Sequence, residues 1–274
     1  MKEGHVFYSL KEASRYLRKG WFYISYRGAL YPIWWDITKN TDDYVVFVPG
    51  RTRREKPLPS FQRRTYNDDL AANVICLSDP SLFFARDLGI AWFVGDKNAH
   101  YASGIANLLK VYFGQFPEAR VLIYGSSAAG IPAFHIANVI ESQCMLYLNN
   151  VQTNASRYFP QHYHYMINCA FKNLSVADFE SKYFSRINIC NVERRFEKMI
   201  VTQNLADVFH FNNHFKPFMD ADRTLNGSNA TYLTYNDVES GHDVLPKNIE
   251  IAVIKSILQS GSLNFELPGQ GVGE

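Results

Sequence analysis

The strongest indication of the fold of this chain comes from the stretch RVLIYGSSAAGIPAFHIAN, residues 120–138. A mostly apolar run leads into Gly-Ser-Ser-Ala-Ala-Gly, residues 125–130, and a pattern typical of a helix follows. Small residues around two serines allow a strand and a helix to approach closely through a tight turn. One interpretation is a turn that presents a hydroxyl to a substrate. The other is an ordinary connection whose serines cap the helix.

The rest of the chain repeats this alternation of short apolar runs and helical patterns from residue 44 onward. Continuous apolar runs indicate strands that are covered on both faces, so we predict an α/β fold with a mostly parallel central sheet flanked by helices. The aromatic stretch 21–37 predicts an N-terminal antiparallel hairpin with its turn at Arg27-Gly28. Strands are predicted at 44–50, 71–77, 120–124, 145–150, 198–204 and 230–236, and helices at 103–116, 129–143 and 248–259.

The length of 274 residues fits one domain, and we predict a single α/β domain over residues 1–274. Residues 154–196 interrupt the alternation with two aromatic and charged helical patterns. This segment is about twice as long as a simple crossover, and we predict that it is an inserted helical cap.

Composition excludes several classes of protein. The formal charge of +2 and the lack of a nucleic-acid-binding motif argue against a nucleic-acid partner. The four cysteines are far apart, so neither a zinc site nor a disulfide framework is expected, and Cys76 and Cys144 are predicted to be core residues. Without a signal-peptide pattern or an apolar stretch of about 18 residues, we predict a soluble, cytoplasmic protein with no stable membrane insertion.

Polar residues that follow the predicted strands are candidates for chemistry, because the carboxyl ends of parallel strands meet at one edge of a sheet. Ser127, Asp207 and His242 each lie at or just beyond such an end, in the chain order Ser, Asp, His.

With these residues the chain resembles the α/β-hydrolase superfamily, whose nucleophile lies in a Gly-x-Ser-x-Gly turn between strand and helix, followed by an acid and a histidine. Here Gly125 stands two residues before Ser127, but Ala129 occupies the second glycine position. The resemblance covers roughly residues 40–260 as an architecture, and its motifs are this turn, NLAD (204–207) and SGHD (240–243).

The resemblance implies that Ser127 is a nucleophile, that His242 is its base and that Asp207 orients His242. It also implies an oxyanion hole formed by the backbone N–H of Ala128 and by a donor from Arg51 or Thr52.

Other assignments are weaker. Ser126 is a weaker candidate nucleophile than Ser127, because Gly125 lies two residues before Ser127, as the motif requires. Asp237 is too close to His242 along the chain, and Asp220 and Asp222 are more distant rivals for the acid. His210 and His214 are spaced i, i+4 as two ligands would be, but no carboxylate at matching spacing accompanies them, so we expect neither a metal nor a cofactor.

The expected activity is acyl transfer, by an esterase or an O-acyltransferase, on a polysaccharide or a related glycan. The superfamily includes capsule O-acetyltransferases with a similar turn of small residues. A basic run is either a solvated loop or a binding site for an anionic glycan or a phosphorylated acyl carrier such as an acyl-CoA donor; it comprises Arg51, Arg53, Arg54, Lys56, Arg63 and Arg64. The predicted substrate-binding residues are Arg53, Arg54, Ser126, His210, Tyr158 and Tyr163.

The displaced glycine favours an alternative, a catalytically silent relative that acts as a binding or accessory protein in glycan assembly or export. The sequence does not predict an oligomeric state.

Overall fold

The computed structural model describes residues 4–55, 57–141, 144–196, 198–227, 230–263 and 267. The strands are β1 His5–Phe7, β2 Lys19–Tyr26, β3 Ala29–Asp36, β4 Asp43–Val48, β5 Asn73–Leu77, β6 Arg120–Ser126, β7 Cys144–Asn149, β8 Lys198–Asn204 and β9 Ala230–Tyr235. The α-helices are α1 Leu10–Tyr16, α2 Tyr101–Phe113, α3 Gly130–Ile140, α4 Pro160–Ala170, α5 Val176–Tyr183, α6 Val208–His210, α7 Lys216–Asn226 and α8 Lys247–Ser260.

These strands form one sheet in the order β1-β2-β3-β5-β4-β6-β7-β8-β9. From β5 to β9 every neighbouring pair is parallel, whereas β3 pairs antiparallel with both β2 and β5. The prediction of a mostly parallel sheet with an antiparallel N-terminal hairpin is therefore confirmed.

The hairpin turns at Arg27 and Gly28, as predicted from the sequence. Both residues have positive φ angles, 49° and 79°. Positive φ at both central residues is the geometry of a two-residue turn whose twist matches that of the flanking strands. Tyr26 is consequently paired with Ala29, and the register runs unbroken to Lys19 and Asp36.

The core explains why the strand sequences are continuously apolar. Val46 and Ile123 face one hydrophobic layer, which includes residues of α2 and α3, and Phe47 and Leu122 face a second layer, which includes residues of α8. Because both faces of these strands are covered, successive residues must all be apolar. Cys76 and Cys144 are buried free thiols, as predicted.

Some elements were not predicted. The sequence patterns predicted neither β1 nor α1, and they predicted no helix between Asp207 and β9, where α6 continues through a π-helical turn, Phe211–Phe215, into α7. Short polar elements such as these carry little periodic signal. The 154–196 segment contains α4 and α5, and an isolated bridge pairs Asn154 with Asn188. Residues 142 and 143 of the predicted helix 129–143, and Lys56, lie outside the described residues.

Among the helices of the described residues, none combines the length and apolar character needed to cross a bilayer.

Candidate active site

Ser127 lies in a strained turn between β6 and α3. Its φ of +53° is in the left-handed region, which side chains other than glycine rarely adopt. This backbone conformation redirects the chain at the end of β6, and Ser127 begins a single turn of 3₁₀-helix that leads into α3. Strained residues of this kind concentrate at functional sites, where surrounding packing holds them in place.

Gly130 and Ala129 of this turn are small for different reasons. A methyl group at Gly130 would lie 2.5 Å from the carbonyl oxygen of Gln152 and 2.6 Å from Val151 Cβ, so only glycine fits there. Ala129, by contrast, has an ordinary helical φ of −70°, and its methyl group is accommodated although the residue is fully buried, so this position does not require glycine. The close approach therefore falls at position 130, which explains why the second glycine is displaced by one.

The hydroxyl of Ser127, the imidazole of His242 and the carboxylate of Asp207 form a chain of hydrogen bonds. Ser127 Oγ lies 3.0 Å from His242 Nε2, and His242 Nδ1 lies 2.6 Å from Asp207 Oδ2. A carboxylate can only accept, so Nδ1 carries a proton and Nε2 is left to accept from the serine. The His242 side chain is 38% exposed, and it lines a cleft together with Ser127.

Asp207 is held as an anion by its surroundings. Burial opposes its ionisation, but hydrogen bonds from His210 and His242 outweigh this effect and hold the pKa of the carboxyl well below its ordinary value. Asp207 also caps α6, accepting from the backbone N–H of His210 at 3.3 Å. The buried charge therefore has three N–H donors.

Two asparagines fasten the loop that carries His242. Asn204, the last residue of β8, donates from Nδ2 to the carbonyls of Asp237 at 2.6 Å and Gly241 at 2.8 Å. Asn150 donates to the carbonyl of Asp243 at 3.2 Å, and its Oδ1 accepts from the Asn204 N–H at 2.7 Å. This role was not predicted from the sequence, although each asparagine is the last residue of a predicted strand.

The predicted oxyanion hole would require free backbone N–H groups near Ser127. The Ala128 N–H lies in the first turn of the 3₁₀-helix, where donors have no intrahelical acceptor. Gly50 brings the end of β4 close, since a methyl group there would lie 3.6 Å from Ser127 Cβ and 3.9 Å from the Ala128 nitrogen. Thr52 does not fit the predicted role, because its N–H donates to the Gly89 carbonyl at 2.8 Å. Arg51 remains the candidate second donor.

A cleft of about 410 Å³, here called the central cleft, opens over the serine and the histidine. Its lining includes Gly50, Arg51, Gln62, Ser127, His242 and Val244. This volume lies within the range of small-molecule binding sites.

Arg63 forms part of the wall of the central cleft but is neither solvated nor free for an anion. Its guanidinium is buried and donates to Glu250 Oε1 at 3.1 Å, to the Tyr124 hydroxyl at 3.1 Å and to Ser126 Oγ at 2.9 Å. Tyr66 and Tyr124 donate to the same carboxylate. Ser126 is thus engaged beneath the site, and the predictions of a solvated loop or an anion-binding residue are wrong for Arg63.

A second, smaller cleft of about 180 Å³, here called the arginine cleft, shares Arg51 with the central cleft. Arg53, Arg54 and His162 line it, together with the acidic Glu55 and Asp87. Arg54 donates from Nε to the Arg86 carbonyl at 2.8 Å, and its buried Nη1 has no hydrogen-bond partner in the part of the chain that is described.

Among the predicted aromatic residues, Tyr158 lies beside the site and Tyr163 does not. The Tyr158 ring lies 6.0 Å from the His210 ring and 6.3 Å from that of Trp92, measured between centroids. Tyr163 is 3% exposed and donates to Glu180 at 2.8 Å within the 154–196 segment. Its predicted substrate contact is wrong because the α4–α5 packing buries it.

The rival carboxylates have other partners. Asp237 accepts from the Ser240 hydroxyl at 2.6 Å, Asp220 forms an exposed ion pair with Lys216, and Asp222 accepts from Tyr232 at 2.9 Å.

His210 and His214, whose spacing is that of two metal ligands, do not form a joint metal site. Within the described ranges, the group whose atoms could jointly bind an ion is Asp207, His210 and His242, with ligand atoms within 4.8 Å of one another. In this group the Nδ1 atoms of both histidines already bond to the carboxylate. His214 instead accepts the Thr153 N–H at Nδ1.

Comparison with known proteins bears on the fold. No family model matches the sequence, and no curated protein matches it. The capsule O-acetyltransferase of Neisseria meningitidis serogroup A is a similar solved structure, with a TM-score of 0.62 and 12% identity over 86% of this chain and 96% of that one.

Two hydrolases are similar in the same way. An S-formylglutathione hydrolase from Agrobacterium tumefaciens has a TM-score of 0.52 and 15% identity over 87% of this chain and 95% of that one. Acetyl xylan esterase 1 from Thermoanaerobacterium sp. has a TM-score of 0.57 and 12% identity over 86% and 81%. From the sheet order, the turn at Ser127 and these likenesses, we conclude that this chain has the α/β-hydrolase fold.

Proposed function

We propose that the chain is a serine-dependent acyl-transfer enzyme that uses Ser127, His242 and Asp207. The observation that carries the proposal is the continuous chain of hydrogen bonds from Ser127 Oγ through both nitrogens of His242 to Asp207. An accessory protein without catalysis would not need a buried anion aligned with an exposed imidazole beside a strained serine.

The proposed reaction has two halves. Ser127 Oγ attacks the acyl carbonyl carbon while His242 Nε2 takes the hydroxyl proton, and the N–H groups of Ala128 and Arg51 stabilise the oxyanion. Collapse of the tetrahedral intermediate releases the leaving group, which takes the proton from His242, and leaves an acyl-serine. An acceptor hydroxyl, or water, then attacks the ester and returns its proton through His242 to Ser127.

A glycan acceptor is the second part of the proposal. The similar solved structures include a capsule O-acetyltransferase and an acetyl xylan esterase, two enzymes whose names point to acylated polysaccharides. We propose that the 154–196 segment acts as a cap on this fold, with Tyr158 offering an aromatic face beside the site.

The arginine cleft supports an anionic acyl donor such as an acyl-CoA. Arg51 lines both clefts, so the two adjoin, and we place the acyl group of the donor at Ser127 and its phosphates beside Arg53 and Arg54. A fluorophosphonate probe tests the nucleophile first. We expect covalent labelling of the wild-type protein and none of Ser127→Ala, with Ser126→Ala still labelled. A folded wild-type protein that never labels would favour the silent accessory role.

The donor is tested by transfer kinetics with acetyl-CoA and candidate glycans, compared with the hydrolysis of a nitrophenyl acetate. We expect Arg54→Gln to raise the KM for acetyl-CoA about tenfold, since a lost charged hydrogen bond is worth about 1.5–3 kcal/mol, and to leave nitrophenyl ester hydrolysis unchanged. Arg64→Gln is the matched control, an exposed arginine that lines neither cleft. Equal KM values for both variants would remove acyl-CoA from the proposal.

A further inference from the structure

A second histidine shares the carboxylate that orients His242. His210 Nδ1 lies 3.0 Å from both carboxylate oxygens of Asp207 and donates to Oδ1, while His242 Nδ1 donates to Oδ2 at 2.6 Å. The two imidazole rings are stacked, with centroids 3.8 Å apart and planes 13° from parallel. A relay of Ser, His and Asp alone does not require this arrangement.

The bonds define the state of His210. Its Nδ1 carries the proton that it donates to Asp207, so its Nε2 is the unprotonated nitrogen of a neutral ring. Nε2 is buried and has no hydrogen-bond partner among the residues described, so a second proton there would be an unpaired donor. Burial, opposed by Asp207, lowers the pKa of His210 from its ordinary value. A neutral ring beneath His242 adds no charge that would repel the imidazolium.

The other charged and titratable groups around the ring come from three elements. Asp207 and His214 belong to its own helical segment, and His242 comes from the loop after β9. The 154–196 segment contributes Tyr158, whose ring centroid is 6.0 Å away, while Arg157 acts on His214 through its charge.

We infer that His210 is a positioning residue that holds Asp207 Oδ1 through its Nδ1–H and supports the His242 ring by stacking, and so sets how strongly Asp207 stabilises the imidazolium at residue 242. This inference rests on the proposed function. A carboxylate that accepts a second N–H has less charge to offer His242. Without that donor, Asp207 stabilises the charged ring more strongly, and the base is protonated at higher pH.

Two substitutions separate the hydrogen bond from the stacking. His210→Phe keeps a stacked ring but removes the donor, whereas His210→Asn supplies an amide N–H in place of the Nδ1–H. His214→Asn is the matched control, since it changes a buried histidine of the same segment that does not bond to Asp207. Thermal melting of each full-length variant verifies that it is folded.

The readouts are the pH profile of kcat/KM with a nitrophenyl ester and the pH titration of the downfield NMR resonance of the proton between His242 and Asp207. We expect the acidic midpoint of both to rise by about half a pH unit to one unit in His210→Phe. In His210→Asn and His214→Asn the midpoint should stay at the wild-type value.

Identical midpoints in His210→Phe and the wild type would overturn the inference, as would equal shifts in all three variants. The resonance titrates whether or not the protein turns over a substrate. An unlabelled, inactive protein with a shifted resonance would therefore refute the proposed function while supporting the arrangement inferred for His210.

Discussion

Gly130→Ala tests the reason that we give for the displaced glycine. The added methyl group would lie 2.5 Å from the carbonyl oxygen of Gln152, and a Cβ atom essentially never lies closer than 3.0 Å to such a neighbour, so α3 and the chain after β7 must separate by about 0.5 Å. The neighbour is backbone and cannot rotate away. Overpacking of this kind costs about 3 kcal/mol, and the better helix propensity of alanine returns about 1 kcal/mol. The expected net loss of unfolding free energy is about 2 kcal/mol.

The same displacement of the backbone after β7 also affects Ser127. The N–H of Gln152 donates to the Ser127 carbonyl at 2.9 Å, so moving residues 151–152 weakens the bond that holds the strained turn. We therefore expect the rate of fluorophosphonate labelling to fall together with stability. Urea unfolding with an unchanged m value measures the first effect, and labelling at a temperature where the variant is folded measures the second.

Ala129→Gly is the informative partner because it restores the glycine spacing of the motif. Ala129 is fully buried in a helical conformation, so we expect a loss of about 1 kcal/mol in stability and no gain in labelling rate. A Gly130→Ala protein as stable and reactive as the wild type would refute the packing argument. Faster labelling of Ala129→Gly would show that the alanine had impaired the site.

Three further outcomes follow from the same structure. Arg63→Met should lower the free energy of unfolding by about 3–5 kcal/mol because it leaves Glu250 buried without its cation, and adding Glu250→Leu should recover part of this loss in urea unfolding. Burial lowers the pKa of His214 to about 3 from 6.5, so its neutral form stabilises the fold above pH 6.5 and this contribution declines as pH falls toward 3, by up to about 1.4 kcal/mol per unit. The free energy of unfolding should therefore fall less steeply with decreasing pH over that range in His214→Asn than in the wild type, and an unchanged slope would contradict this. Asn204→Ala should lower kcat/KM at least about tenfold by releasing the loop of His242, and a profile equal to that of the wild type would contradict the anchoring role.

Residue patterns alone predict the layered architecture, because strands covered on both faces must be continuously apolar and the apolar residues of helices recur at helical spacing. They also place Ser127, Asp207 and His242 at strand ends, since parallel strands bring their carboxyl ends to one edge whatever the length of the connections. The hairpin turn at Arg27-Gly28 and the burial of Cys76 were likewise predictable from the local sequence.

Which side chains pair across that edge depends on tertiary packing, which the residue patterns do not reveal. Arg63 and Glu250 are 187 positions apart, and nothing in a basic run distinguishes the guanidinium that is buried from those that are exposed. The stacking of His210 on His242 and the crowding at Gly130 likewise depend on distances between separate elements. Sequence patterns indicate which face of a strand or helix a residue occupies, whereas the packing of the whole sheet and its helices determines which side chain it contacts.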